Sequence, residues 1–548
     1  MTTVLRPADG ATAPMGVGSA NPIRLLRRLY RRVPTLLLVL VLSLCLLVLL
    51  TTGNPVAAAM PAVLALIVTL VWTQPVRRTL IPLIFAQLFF FSPSQGPDGL
   101  PMASGALWTK FVLPGHYLTN IHLNHSFGTS FLPLSGHELA YVLLFCLILF
   151  RAFRGDTTDA IGRKPIANVV FVFLLIQVAG VIAFEVWGLA NHGNFRSTLF
   201  QIRHFLLLPL EAVVLCLALR DSRDFMRIAL IATVAALLKG AIGLMFLVAA
   251  ATRFNYLPPY MTGHEDSVLY VLVMFMWIVA AVHTRSGQRT LMAFLIFALL
   301  AVVVYYNNRR LAWVSLVAAF LSFFPLLQGR LRRRVNLGLI IATPFIFIYL
   351  MLSKTYTDGI FGPGADLMGI ANVTDASSQW RILENANLVF TIDQHRFFGS
   401  GFGHEWIEVI KLPDVSGAFA EYRLLAHNSV LWLLGIVGSV GFTLIWMPIA
   451  VAVFLSRRSY IFSTTPYQRT AAASAIAAAV CYVNQAWGDV GLASAPPTFF
   501  MAASIALAAK LAHETGAWPA GTRLLNLKGT NLRDEPIARP PDGELVNS

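Results

Sequence analysis

Apolar and polar positions in this chain are segregated into blocks: long hydrophobic runs broken by short, arginine-bearing intervals. The runs read as membrane-spanning helices at 34–52, 56–73, 79–93, 137–150, 167–189, 203–219, 228–250, 267–283, 291–306, 311–327, 335–353, 427–455, 470–488 and 495–513. That is about 14 spans, judged against the roughly 20 apolar residues that cross a bilayer. The longest polar interruption, 354–425, separates the last three from the rest. The run that follows it opens with His427-Asn428 and carries Gly435, Gly438 and Gly441 at three-residue spacing. Such spacing leaves a bare helix face that a neighbour can approach closely. It also places a histidine where an apolar helix meets water.

Composition agrees with the pattern. With 57% hydrophobic and 12% charged residues and a mean hydropathy of +0.69, the chain is far from a soluble globular protein, whose charged share is about 25%. The fold class is all-α, a polytopic transmembrane helical bundle. The net charge of +15 does not indicate nucleic acid, because the cations fall in short clusters between apolar runs, as the positive-inside rule describes. Arg24 to Arg32 precede the first run, and Arg77-Arg78, Arg151 to Lys164, Arg220 to Arg227, Arg285 to Arg289, Arg330 to Arg334 and Arg457-Arg458 fall on that same side. Both termini are therefore expected in the cytoplasm. The first apolar run is too long for a typical signal-peptide core, and further spans follow at once, so it reads as a span.

The resulting organisation is a polar cytoplasmic tail at 1–22, spans at 23–353, a large periplasmic loop at 354–425, spans at 426–513 and a second polar tail at 514–548. Smaller outer loops are expected at 94–136 and 191–201. The four cysteines, Cys45, Cys146, Cys216 and Cys481, lie inside apolar runs without paired spacing, so neither a disulfide framework nor a zinc site is expected.

Several polar residues stand out against this background. Asn307-Asn308-Arg309-Arg310 joins two spans through almost no loop and puts two guanidiniums at the outer interface. Arg381 lies in a helical pattern, with Glu384 at i+3 as a possible ion-pair partner. Gly399, Gly401 and Gly403 permit a tight, backbone-exposing turn. Glu211 and Lys239 sit near the middle of adjacent spans, each about ten residues from its cytoplasmic end, and are expected to neutralise each other. The stretch 107–113 reads as an interfacial amphipathic helix, and 406–412 as a lid beside the glycine turn.

Arg310-Leu311-Ala312-Trp313, Ser378-Gln379-Trp380-Arg381, Phe398-Gly399-Ser400-Gly401-Phe402-Gly403, and His427-Asn428 followed after nine residues by Gly438-Ser439-Val440-Gly441 occur in that order on one membrane face. Together they resemble the bacterial O-antigen ligase and polysaccharide polymerase superfamily, over residues 307–442. Arg309 and Leu311 flank Arg310 where the family usually has Ser and Gly, which leaves Arg309 and Arg310 both as candidates for the working arginine.

The resemblance implies a C-type glycosyltransferase-like bundle. It would move a polyprenyl-diphosphate-linked glycan onto a glycan or lipid A-core acceptor at the periplasmic face of the inner membrane. Membrane lipids and other polysaccharide-assembly membrane proteins would be its partners, and no cofactor or metal is implied. By the same resemblance, Arg310 and Arg381 stabilise the departing diphosphate, and His427 serves as base or orients the acceptor. Arg309, Asn428, Gly399, Gly401 and Gly403 contact substrate. Fixed guanidiniums suit a diphosphate leaving group, and an imidazole suits proton removal near neutral pH. Glu405, Glu408, Asp414 and Glu421 in the same loop compete for the role of base. Direct attack would invert the anomeric carbon. The competing class, a lipid-linked oligosaccharide flippase or secondary transporter, predicts charged residues through the whole depth of the interior.

Overall fold

The computed structural model describes residues 40–51, 55–90, 134–154, 167–255, 261–356, 359–369, 376–414 and 422–518, and every regular element among them is helical. The tail 1–22, the tail beyond 518, the stretch 107–113, most of the loop 94–136, and Glu421 lie outside the described residues. The chain divides after Gln74 into two units. The first contains α1 (Leu40–Thr51) and α2 (Pro55–Thr73).

The second unit begins with α3 (Val76–Phe89), α4 (Gly136–Phe153), α5 (Val169–Ala190), α6 (Phe195–Ala218) and α7 (Ser222–Phe254). It continues with α8 (Asp266–Thr284), α9 (Gly287–Asn307), α10 (Arg310–Phe323) and α11 (Gly329–Thr355). The large loop contributes α12 (Gly362–Gly369) and α13 (Ala376–Gln394), and α14 (Ser429–Phe462), α15 (Pro466–Gly488) and α16 (Ala495–Glu514) complete it. Nine of the described helices, α4 to α9, α11, α14 and α16, are long and apolar enough to cross a membrane. The protein is thus a multi-pass membrane protein. The other five expected spans coincide with α1, α2, α3, α10 and α15, which are shorter, partly described, or richer in alanine and polar residues.

Capping side chains set the helix starts. Asn194 accepts from Arg196 and Ser197 N–H and starts α6 at once, so the outer loop expected at 191–201 shrinks to a turn. Thr465 and Gln468 form a capping box ahead of Pro466 at the start of α15. Alanines 471–473, 475 and 477–479 are buried along α15, and this small-residue surface lets it lie against α8, α10, α14 and α16. In α16, 89% of the apolar window is buried, whereas in α11 none is. The first is the centre of the unit; the second keeps its apolar surface outside the packed core.

Contacts between helix ends define the two ends of this unit. At one end, Asn307 accepts from Thr262 N–H (2.8 Å), Asn307 donates to Ser267 Oγ (3.3 Å), and Ser429 Oγ donates to the Asp489 carbonyl (3.3 Å). At the other, His283 meets Tyr460 (3.0 Å) and Thr470 (3.3 Å), and Ser222 N–H donates to Glu514 (2.8 Å). Arg220 to Arg227, Arg285, Arg330 and Arg457-Arg458 gather at or beside this second end.

The expected Glu211–Lys239 pair is not what forms. Lys239 Nζ lies 2.5 Å from Asp266 Oδ1 and donates to the Phe90 carbonyl (3.1 Å), while Glu211 accepts from Gln87 (3.4 Å). Asp221 caps α7 and begins it at Ser222, six residues before the expected span. Lys239 therefore lies about 26 Å along its helix and Glu211 only about 11 Å from the same end of its own, at 1.5 Å per residue. The two carboxylate-bearing positions were at different depths, and the ammonium reaches the one at the start of α8. Asp266→Ala, which removes the carboxylate beside the buried Lys239 ammonium, is expected to cost about 3–5 kcal/mol. The doubly apolar Lys239→Met/Asp266→Leu should recover most of that, read from thermal unfolding in detergent.

Candidate active site

His427 immediately precedes the cap of α14 and is 41% exposed at its side chain. Its Nδ1 lies 3.2 Å from both carboxylate oxygens of Glu384, and its backbone N–H donates to Glu384 Oε2 at 3.1 Å. Glu384 is buried on α13. The bidentate approach fixes the ring and makes Nδ1 the protonated nitrogen, which leaves Nε2 as the acceptor. Burial pulls the His427 pKa down, but the Glu384 hydrogen bond and charge, with a contribution from Asp489, outweigh it against repulsion from Arg381. The net shift is upward from the ordinary value.

Arg381 stands one helical turn before Glu384 and does not form the i+3 ion pair, because that carboxylate is engaged by His427. Its guanidinium is half-buried, with Nε lacking a hydrogen-bond partner among the described residues. Asn428 caps α14 by accepting from Leu431 N–H (3.1 Å). Arg309 takes the N-cap position of α10 and Arg310 its first turn, beyond the left-handed Asn308. Both are half-buried. Leu311 meets Gly488 at the end of α15, where a Cβ would come within 2.6 Å of it. Arg309, Arg310, Arg381 and His427 are thereby all carried to the same end of the unit.

Gly399, Gly401 and Gly403 each lie in close packing with neighbouring elements. Their φ values are 62°, 85° and 90°. A Cβ at Gly399 would lie 2.1 Å from the Ile436 carbonyl, at Gly401 2.3 Å from Gly188 Cα, and at Gly403 2.5 Å from Thr198 Oγ1. The turn is wedged into a break in α14 at Gly438, where φ is 63° and ψ −175°. Backbone groups released by that break are satisfied across the loop. Gly401 N–H donates to Ile436 (2.7 Å), Ser439 N–H to Arg396 (2.9 Å) and Val440 N–H to Phe397 (3.1 Å). The glycines thus anchor the large loop against α5, α6 and α14, which holds α13 and its Glu384 in register with His427.

The stretch 406–412 is not a helical lid. Ile407 N–H donates to Thr391, and Val409 and Ile410 N–H to Asn387, so this strip is pinned to α13. Glu408 is paired with Arg423 (2.8 Å) and accepts from Leu412 N–H, and Glu405 is exposed. The carboxylate that meets the imidazole is Glu384 instead.

A second histidine–carboxylate pair adjoins the first. His264 Nδ1 lies 2.8 Å from Asp489 Oδ2. Burial opposes ionisation of Asp489, yet His264 and the Val490 N–H hold its carboxyl well below the ordinary range, with help from His427. Sequence reasoning passed over both. The available signals were the polar triplet His264-Glu265-Asp266 between two spans and an aspartate ending an alanine-rich one.

Residues 295–446 match the family model described as O-antigen ligase. The matched stretch contains Arg309, Arg310, Arg381, Glu384 and His427, and it excludes His264 and Asp489. No curated protein matches the chain. Glycosyl transfer is the general reaction class that the match brings to this membrane protein.

Proposed function

We propose, on the premise that residues 295–446 are a domain of the O-antigen ligase family, that the protein transfers a glycan from a polyprenyl-diphosphate carrier to an acceptor hydroxyl. The site lies on the periplasmic side of the bacterial inner membrane, opposite the arginine-rich end. The observation that carries this reading is the Glu384–His427 contact, with Arg381 one turn away.

The acceptor hydroxyl approaches His427 Nε2, which takes its proton as the oxygen attacks the anomeric carbon. Glu384 holds the Nδ1 proton and offsets the charge of the imidazolium. The bond from anomeric carbon to phosphate oxygen breaks, and its electron pair leaves with the diphosphate. Arg381, with Arg309 or Arg310, offers fixed donors to that growing charge. One displacement inverts the anomeric centre. The acceptor is a lipid A-core in a ligase and a second lipid-linked glycan in a polymerase. The amide nitrogen of Asn428 is a further donor at this end.

Purified protein supplied with a synthetic polyprenyl-diphosphate oligosaccharide should release polyprenyl diphosphate, with elongated glycan if it is a polymerase. Movement of the intact donor across vesicles without bond cleavage would instead establish the flippase reading. Glu384→Gln is expected to lower turnover about 10–100-fold, as loss of a charge-assisted hydrogen bond of roughly 1.5–3 kcal/mol implies. Because Glu384 raises the His427 pKa, the acid limb of the rate profile should move to lower pH in this variant. An unshifted limb would reduce Glu384 to a packing role.

A further inference from the structure

At the end of the unit opposite His427, a cavity of about 410 Å³ opens between α8, α11, α14 and α15. Its volume is in the range of about 300–1,000 Å³ typical of small-molecule sites. Arg285, Arg330 and Arg469 line it, with His283 and Tyr460 on its wall and no carboxylate among its lining residues. None of the three guanidiniums is within ion-pair distance of an acidic side chain among the described residues; Arg469 donates to the Ser463 carbonyl.

A second basic cavity, of about 200 Å³, shows the contrast. There Arg77, Arg78 and Arg227 surround Asp224, which lies 2.9 Å from Arg227 and 4.0 Å from Arg77. That cluster neutralises itself in part. The larger cavity concentrates positive charge with nothing of opposite sign in its wall.

Two further features point the same way. The N-terminus of α11 enters the cavity through Gln328, Gly329, Arg330 and Leu331, and Gln328 supplies no side-chain cap to the free N–H groups of the first turn. Uncapped amides at a helix start favour an anion. From there α11 runs the depth of the unit with its apolar surface unburied, Leu337, Ile340, Ile341, Phe345 and Ile348 all being exposed. Hydrocarbon chains of a molecule whose head occupies the cavity would lie directly along this helix.

We propose that this cavity binds a phosphate group, carried by an anionic phospholipid of the leaflet that bathes the arginine-rich end. The phosphate sits among Arg285, Arg330, Arg469 and the first turn of α11, and the acyl chains follow α11. Anionic lipid heads gain roughly fivefold in affinity for each nearby basic side chain. Bound there, the lipid ties α11 to α8, α14 and α15, which its own side chains do little to do. The site is independent of the reaction proposed at the other end.

The full chain, purified in neutral detergent and stripped of lipid, is titrated with phosphatidylglycerol, phosphatidylcholine or inorganic phosphate. Bound lipid is counted by native mass spectrometry and unfolding temperature is followed in parallel. Phosphatidylglycerol is expected to bind at least about fivefold more tightly than phosphatidylcholine and to raise the unfolding temperature. Arg285→Gln and Arg330→Gln, both at exposed positions, should each lose about fivefold, and the triple variant with Arg469→Gln the whole preference. Arg77→Gln/Arg78→Gln should keep it. Equal stabilisation by inorganic phosphate would keep the anion site but overturn the lipid as its occupant. Equal retention of both lipids, or single variants that bind as wild type does, would overturn the proposal.

Discussion

His427→Ala is expected to lower turnover of a polyprenyl-diphosphate glycan by about 10²–10⁴-fold, the usual contribution of a positioned general base. Protein level in the membrane should be unchanged, because Asn428 rather than His427 caps α14. Added imidazole should restore part of the rate, and Arg396→Ala, which removes only an exposed pair with Asp393, should restore nothing and lose nothing. His427 also leaves a signature in stability. Its folded-state pKa is raised, so the Glu384 contact contributes fully below the unfolded value of about 6.5 and fades as pH rises through the folded one. That slope should vanish in His427→Ala. Retained turnover in His427→Ala, together with its loss in His264→Ala, would move the base to the neighbouring Asp489 pair.

Local signals made most of the fold legible, and long-range pairings hid most of the site. Spans expected at 267–283 and 495–513 fall on α8 and α16 almost residue for residue, because hydrophobic length and flanking charge are local properties. The arginine and histidine motifs reach one end of the unit because helices that alternate in direction return there. Glu384 was visible only as a neighbour of Arg381; its actual partner lies 43 residues away. Gly438 read as a packing glycine and is instead a break in α14 that receives the Gly399–Gly403 turn, a role that spacing cannot express. Lys239 failed for a different reason: depth was counted from an apolar boundary, whereas Asp221 starts the helix six residues earlier.

Arg381→Ala is expected to reduce kcat by about 10²–10³-fold, the scale for losing one donor to charge that develops in the transition state. The geometry explains why its neighbours do not substitute. Glu384, the carboxylate that would otherwise hold the guanidinium, is occupied by His427, so Arg381 keeps donors for the diphosphate. Arg381→Lys should recover only part of the rate, since an ammonium restores charge without the planar fork. The pH profile separates this role from simple packing. Arg381 pushes the His427 pKa down, so its removal should move the acid limb to higher pH, opposite in sign to Glu384→Gln. In the double variant the two shifts should oppose each other, with the Glu384 effect the larger, while the rate losses accumulate. A loss of rate with an acid limb that stays in place would mean that Arg381 supports α13 without sharing a field with His427, and the leaving-group role would then fall to Arg309 or Arg310 alone.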